Sequence, residues 1–191
     1  MDDKKGQKVG MVETAVFAGG CFWCTEAVFS MLRGVVSVMP GYTGGRSMPG
    51  GAAPTYEQVS GGNTGHAESL KIEFNPSVIS YSDLLTVFFN THDPTTVNRQ
   101  GNDVGTQYRS AIFYGSEEQR LKAEALIREL DDSKAYDKPV VTEVRPLERF
   151  YQAEGYHRDF YKNNSEAPYC QLVIAPKLEK LQKRFSALIQ G

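Results

Sequence analysis

Apolar positions in the first part of the chain come in short runs that end at glycines. Residues 13–19 form a nearly continuous apolar run closed by Gly19-Gly20, which predicts a buried strand. Residues 25–33 carry Ala27, Val28, Met31 and Leu32 at helical spacing and stop at Gly34, which predicts a helix. Residues 35–39 are a second strand, leading into Gly41-Tyr42-Thr43-Gly44-Gly45. Residues 68–75 alternate Leu70, Ile72 and Phe74 with Lys71 and Glu73, the pattern of a half-buried strand, and Pro76 ends it.

Further along, Ser82-Asp83 is expected to cap a helix reaching about residue 90. Residues 108–114 read as a strand, and Ser116-Glu117-Glu118-Gln119 opens a long helix to about residue 130. Residues 140–144 are a further strand, 150–161 an aromatic, partly helical stretch, and 177–189 a final amphipathic helix. Two long connections separate these elements. Residues 41–65 are dense in Gly and Pro but hold Tyr42, Tyr56 and Val59, so an ordered, packed loop is expected there. Residues 92–107 form a second, polar loop.

Strands alternating with helices argue for an α/β or α+β two-layer sandwich with a mixed β-sheet. Residues 1–12 read as a flexible leader and 13–191 as a single domain, in which 162–191 form a C-terminal segment carrying Cys170 and a helix. The 191 residues are 40% hydrophobic and 11% aromatic, enough for a sizeable core. A net charge of −2 gives no electrostatic case for nucleic acid or anionic membranes. No apolar run approaches the ~18 residues of a membrane span. The expectation is a soluble, cytoplasmic monomer.

The chemistry concentrates in Ala18-Gly19-Gly20-Cys21-Phe22-Trp23-Cys24-Thr25-Glu26. An apolar run, a glycine turn and a helix put Cys21 at a helix N-terminus, where free N–H groups and the dipole favour a thiolate. Three cysteines do not read as a disulfide framework, so a catalytic, redox or metal role is expected for Cys21 and Cys24. Their C-x-x-C spacing fits a redox pair or half of a zinc site. A zinc site lacks well-spaced further ligands, since His66, His92, His157 and Cys170 are scattered, and no metal is expected. Glu68, at the loop-to-strand junction, is either a solvated surface carboxylate or a partly buried acid. Asp103 by itself reads as a turn residue, and Tyr56 and Tyr108 as half-buried packing.

Together these residues resemble the A class of peptide methionine sulfoxide reductases. The resemblance lies in Gly20-Cys21-Phe22-Trp23, Gly41-Tyr42-Thr43-Gly44-Gly45, Pro54-Thr55-Tyr56, Thr64-Gly65-His66-Ala67-Glu68 and His92-Asp93-Pro94-Thr95. It continues through residues 101–110 and Ala153-Glu154-Gly155-Tyr156-His157. It implies a ferredoxin-like core with long loops and reduction of methionine S-sulfoxide, free or in peptides, with no cofactor beyond thiols. It further implies Cys21 as nucleophile, Glu68 as acid, Tyr56 and Tyr108 as donors to the sulfoxide oxygen, and Asp103 as an ordering group. Phe22 and Trp23 would hold the substrate methyl group.

The resemblance also implies a disulfide reduced by thioredoxin. Many relatives carry Gly where this chain has Cys24, so two resolving thiols compete. Cys170, following the polar stretch 163–168 that is expected to be mobile, is favoured; Cys24, one helical turn away, and a relay through all three remain open. The rival readings are a general thiol–disulfide oxidoreductase using Cys21 and Cys24, and a non-catalytic redox sensor or Met-peptide binding module.

Overall fold

The structure is a computed structural model and describes residues 11–190. Apart from residues 11 and 12, the expected leader lies outside the described residues. In chain order the elements begin with β1 (Glu13–Gly19), α1 (Phe22–Phe29), β2 (Val35–Thr43), α2 (Tyr56–Ser60), β3 (Ala67–Phe74) and α3 (Tyr81–Thr91). Then come β4 (Arg99–Gln100), β5 (Asp103–Val104), β6 (Ser110–Tyr114), α4 (Glu117–Asp132), β7 (Glu143–Pro146), β8 (Tyr151–Gln152), α5 (Phe160–Asn163) and α6 (Ala175–Arg184).

Six strands form one mixed sheet in the order β7-β6-β1-β3-β2-β8. β1 pairs antiparallel with β3 and β6, while β7 runs parallel to β6 at one edge. Both faces of β1 are covered, which explains its unbroken apolar run. On the helical face Phe17 meets Phe29, Tyr81 and Phe88 at ring separations of 5.7, 5.9 and 4.9 Å. On the other face Val16 and Ala18 join Ala111 and Phe113 beneath Leu147 and Phe150. In β3 the alternation holds: Leu70, Ile72 and Phe74 enter the helix-side core, and Lys71 and Glu73 stay half exposed. The same alternation carries Glu68 onto the helix side, two residues before Leu70.

Several boundaries differ from the expected ones, each for a physical reason. α1 starts at Phe22 rather than residue 25, because the turn at Gly20 delivers the chain into the helix at once. The α3 cap is Ser80, not Ser82: Ser80 Oγ accepts from Asp83 N (3.1 Å) while the Asp83 carboxylate accepts from Ser80 N (3.0 Å). The polar loop 92–107 contains the β4–β5 hairpin, whose two-residue strands are too short to show periodicity. The last helix is preceded by a wide π-type turn, Cys170–Ile174, and ends at Arg184. Cys170 opens that turn and is fully buried. Among the described residues no helix is long and apolar enough to cross a membrane.

Candidate active site

The site forms where β1 turns into α1. Gly20 takes φ +92°, and a Cβ there would fall 2.6 Å from Gln100 Cγ, so the tight entry requires glycine. Cys21 then occupies the N-cap, and its carbonyl accepts from Cys24 N (3.1 Å) and Thr25 N (3.4 Å). The first helical N–H, that of Phe22, donates to the Glu68 carboxyl at 3.0 Å. One hydrogen bond therefore ties the start of α1 to β3 and sets the acid beside the thiol-bearing turn.

Burial governs the chemistry of both groups. Glu68 is 2% exposed, and desolvation, with smaller pushes from Asp103 and Cys24, raises its pKa to about 8 against the opposing bond from Phe22 N. At neutral pH this carboxyl holds a proton. The Cys21 and Cys24 thiols shift one another: Cys24, burial and Glu68 push Cys21 well up, while Cys21, Lys177 and Tyr169 bring Cys24 down to about 6 against burial. The two thiols therefore titrate as a pair.

Aromatic side chains surround the thiols. Tyr56 of α2 and Tyr108, at the end of the turn before β6, are both half-buried. Burial first, then the nearby Glu68 and Cys21, raises both phenols, so they stay protonated donors. Trp23 is partly exposed and stacks flat on Phe160, 3.7 Å between centroids and 6° between planes. Phe22 is fully buried, packed on Tyr42 at 5.8 Å and on Trp23 at 6.4 Å, so it backs the wall that Trp23 presents. Asp103 reaches the cluster through Tyr169, whose hydroxyl lies 3.5 Å from Asp103 Oδ2 and 3.5 Å from Cys24 Sγ.

The structure thus brings Cys21, Cys24, Glu68, Trp23, Tyr56, Tyr108 and Asp103 to one end of the sheet, and Cys170 lies in the same buried cluster as the other two cysteines. Sequence reasoning missed Tyr169, for which adjacency to Cys170 was the available signal. It also missed Glu154, whose carboxylate accepts from Tyr42 Oη and Tyr56 N, both at 2.8 Å. Among the described residues no group of three or more His, Cys, Asp or Glu is placed to hold a metal ion.

Comparison with known proteins agrees with this geometry. The family model for peptide methionine sulfoxide reductase matches residues 13–188. A peptide methionine sulfoxide reductase MsrA of Thermus thermophilus is 56% identical over 178 residues, covering 93% of this chain and 98% of its own length. Among solved structures, Mxr1 of Saccharomyces cerevisiae in reduced form superposes with a TM-score of 0.76 at 32% identity, over 87% of this chain and 92% of that one. Mxr1 in complex with Trx2 aligns with a TM-score of 0.52 at 21% identity, over 83% and 91% of the two chains. A thiol pair at a helix start, a protonated buried carboxyl beside it and these matches along almost the whole chain lead to one conclusion: it belongs to the peptide methionine sulfoxide reductase family.

Proposed function

We propose that the reduction of methionine sulfoxide by this chain runs through Cys21 as nucleophile and Glu68 as acid, on the S epimer, free or in proteins. The observation that carries this reading is the protonated, buried Glu68 carboxyl pinned by Phe22 N beside Cys21. As Cys21 Sγ attacks the sulfoxide sulfur, its proton passes to the neighbouring Cys24, whose pKa is brought down to about 6. The S–O bond breaks as Glu68 gives its proton to the departing oxygen, while Tyr56 and Tyr108 hydroxyls stabilise the charge on that oxygen. The released hydroxide then bonds to Cys21 Sγ as the new sulfur–sulfur bond breaks, so that methionine leaves with that electron pair and Cys21 becomes a sulfenic acid. Trp23 holds the substrate methyl group, with Phe22 behind it.

A second thiol then condenses with the sulfenic acid, forming a disulfide and releasing water. Cys24 is the first resolving thiol, being one helical turn from Cys21, whose pKa it shifts. Cys170, a member of the same core, then takes over the disulfide and returns Cys24 to its thiol form, which the shared core supports. Asp103 orders this end of the site through Tyr169. The reductant that closes the cycle is thioredoxin; the complex of yeast Mxr1 with Trx2 supports that choice. We read residues 13–191 as one catalytic unit, acting as a cytoplasmic monomer in the repair of oxidised methionine.

The deciding measurement follows the two epimers of methionine sulfoxide separately with excess dithiothreitol. Loss of the S epimer alone, abolished in Cys21→Ser, is the expected result; consumption of neither, or of both equally, overturns the reading. For the resolving step, Cys24→Ser should leave one sulfenic acid after a single turnover, whereas Cys170→Ser should form a Cys21–Cys24 disulfide and cycle poorly with thioredoxin. Normal cycling in both variants removes the assignment.

A further inference from the structure

The block 153–157 ends on His157, which takes no part in the chemistry above. Its ring is 1% exposed and touches four aromatic side chains: Tyr156 at 4.2 Å, Tyr56 at 4.5 Å, Phe22 at 4.9 Å and Trp23 at 5.7 Å between centroids. It makes one hydrogen bond through its side chain: the Trp23 indole Nε1–H donates to His157 Nδ1 at 3.1 Å. Nδ1 must therefore be bare, which puts the proton of the neutral ring on Nε2. Nε2 is buried and has no hydrogen-bond partner, the nearest carboxylate oxygen being Glu154 Oε2 at 3.8 Å.

A buried imidazole with one nitrogen unbonded costs stability, so its retention calls for a use. The use lies in Trp23. Stacking on Phe160 sets the plane of the indole and Tyr169 meets it edge-on at 5.9 Å, but neither contact is directional, which leaves some freedom within that plane. The directional bond from Nε1 removes that freedom. We propose that His157 is a positioning residue that locks the Trp23 indole against in-plane movement, and so sets how tightly the site holds the methyl sulfoxide end of its substrate. Burial lowers the pKa of the imidazole, which keeps the acceptor available at neutral pH. This inference rests on Trp23 as a substrate-binding wall.

The test uses the full chain and a property of its composition: Trp23 is its one tryptophan, so emission excited at the red edge of the tryptophan band, where its ten tyrosines absorb little, reports on that residue. His157→Phe keeps the ring and removes the acceptor; His157→Asn loses the ring and keeps an acceptor, Oδ1, near the position of Nδ1. His157→Phe should shift Trp23 emission and raise the single-turnover substrate constant about fivefold, with the limiting rate unchanged within about twofold. His157→Asn should restore both. In a Trp23→Phe background, which has no indole N–H, His157→Phe should change the substrate constant no further.

Emission is read without substrate, so it stands whatever becomes of Cys21 or Glu68. Unchanged emission in His157→Phe overturns the positioning bond. Changed emission with an unchanged substrate constant overturns the effect on affinity, and Trp23 as a wall with it. An equal fivefold loss in the Trp23→Phe background shows a merely structural role. If the phenyl ring prevents folding, His157→Leu is measured by the same readouts, and the same outcomes decide.

Discussion

Two glutamates of this chain are equally hidden from solvent and do opposite work. Glu26 and Glu68 are each 2% exposed, and burial raises the pKa of both. Glu26, on the second turn of α1, accepts from two backbone N–H groups, Asp159 N at 2.8 Å and Phe160 N at 3.1 Å, where α5 begins. Glu68 accepts from one, Phe22 N. The surroundings are what differ. Glu68 lies deeper, so burial pushes harder on it, and Asp103 and Cys24 add repulsion against a single N–H; it reaches about 8. At Glu26 the push of burial is opposed by two N–H groups and by Arg158, and the carboxyl ties α1 to α5. Low exposure alone does not raise a carboxyl that far; depth, donors and neighbouring charges act together.

The sharpest way to break this comparison is to neutralise each carboxyl in place. Glu68→Gln keeps an oxygen to accept from Phe22 N but has no proton to give. Its single-turnover rate should fall by about 10²–10⁴, with Cys21 still open to alkylation and the fold retained. Glu26→Gln should leave that rate within about threefold. Rapid-quench assay of methionine formed in one turnover reads both. A normal rate in Glu68→Gln would place the acid elsewhere.

pH separates the two next. The acid form of Glu68 is needed, so the single-turnover rate should fall as pH rises through about 8. The stability effect has a definite sign. The folded pKa lies above the unfolded value, so between about pH 4.5 and 8 the folded state binds more protons and stability falls as pH rises. The loss from this one group is of the order of a few kcal/mol by pH 9, and Glu68→Gln should abolish it. Denaturant melts of both proteins at pH 5, 7 and 9 measure it; parallel curves would mean that Glu68 titrates normally.

The contrast also shows what the sequence made legible. The Leu70, Ile72, Phe74 alternation placed β3 within one residue, because strand periodicity is local, but spacing alone made Glu68 a surface carboxylate, and the structure buries it. The apolar run before Gly19-Gly20 placed β1 for the same reason. What could not be read came from long-range partners. The place of Glu68 against the start of α1 depends on Phe22, 46 residues away, and Glu26 as a tie depends on residues 133 and 134 positions away. β4 and β5 escaped because two residues hold no period, and the polar residues before Cys170 hide the buried turn that follows.

The smaller predictions concern Glu26. Glu26→Ala removes the acceptor of two part-buried bonds, from Asp159 N and Phe160 N, which should cost about 0.5–1.5 kcal/mol each, seen as a lower urea midpoint at unchanged slope.

Glu26→Gln is the finer case. Its one carbonyl oxygen can still accept from either N–H, so only the second bond and the charge near the start of α5 are lost. Charge near a helix end is worth about 0.3–1 kcal/mol, and α5 is a single turn, so a loss of about 0.5 kcal/mol is expected. The two Glu26 variants should then be ordered Ala below Gln below the natural chain. If Gln is as damaging as Ala, the carboxylate charge carries the tie and the donors do not. If Gln is neutral, the second bond contributes nothing, and the difference between Glu26 and Glu68 must come from depth and from Asp103 and Cys24 rather than from the donors.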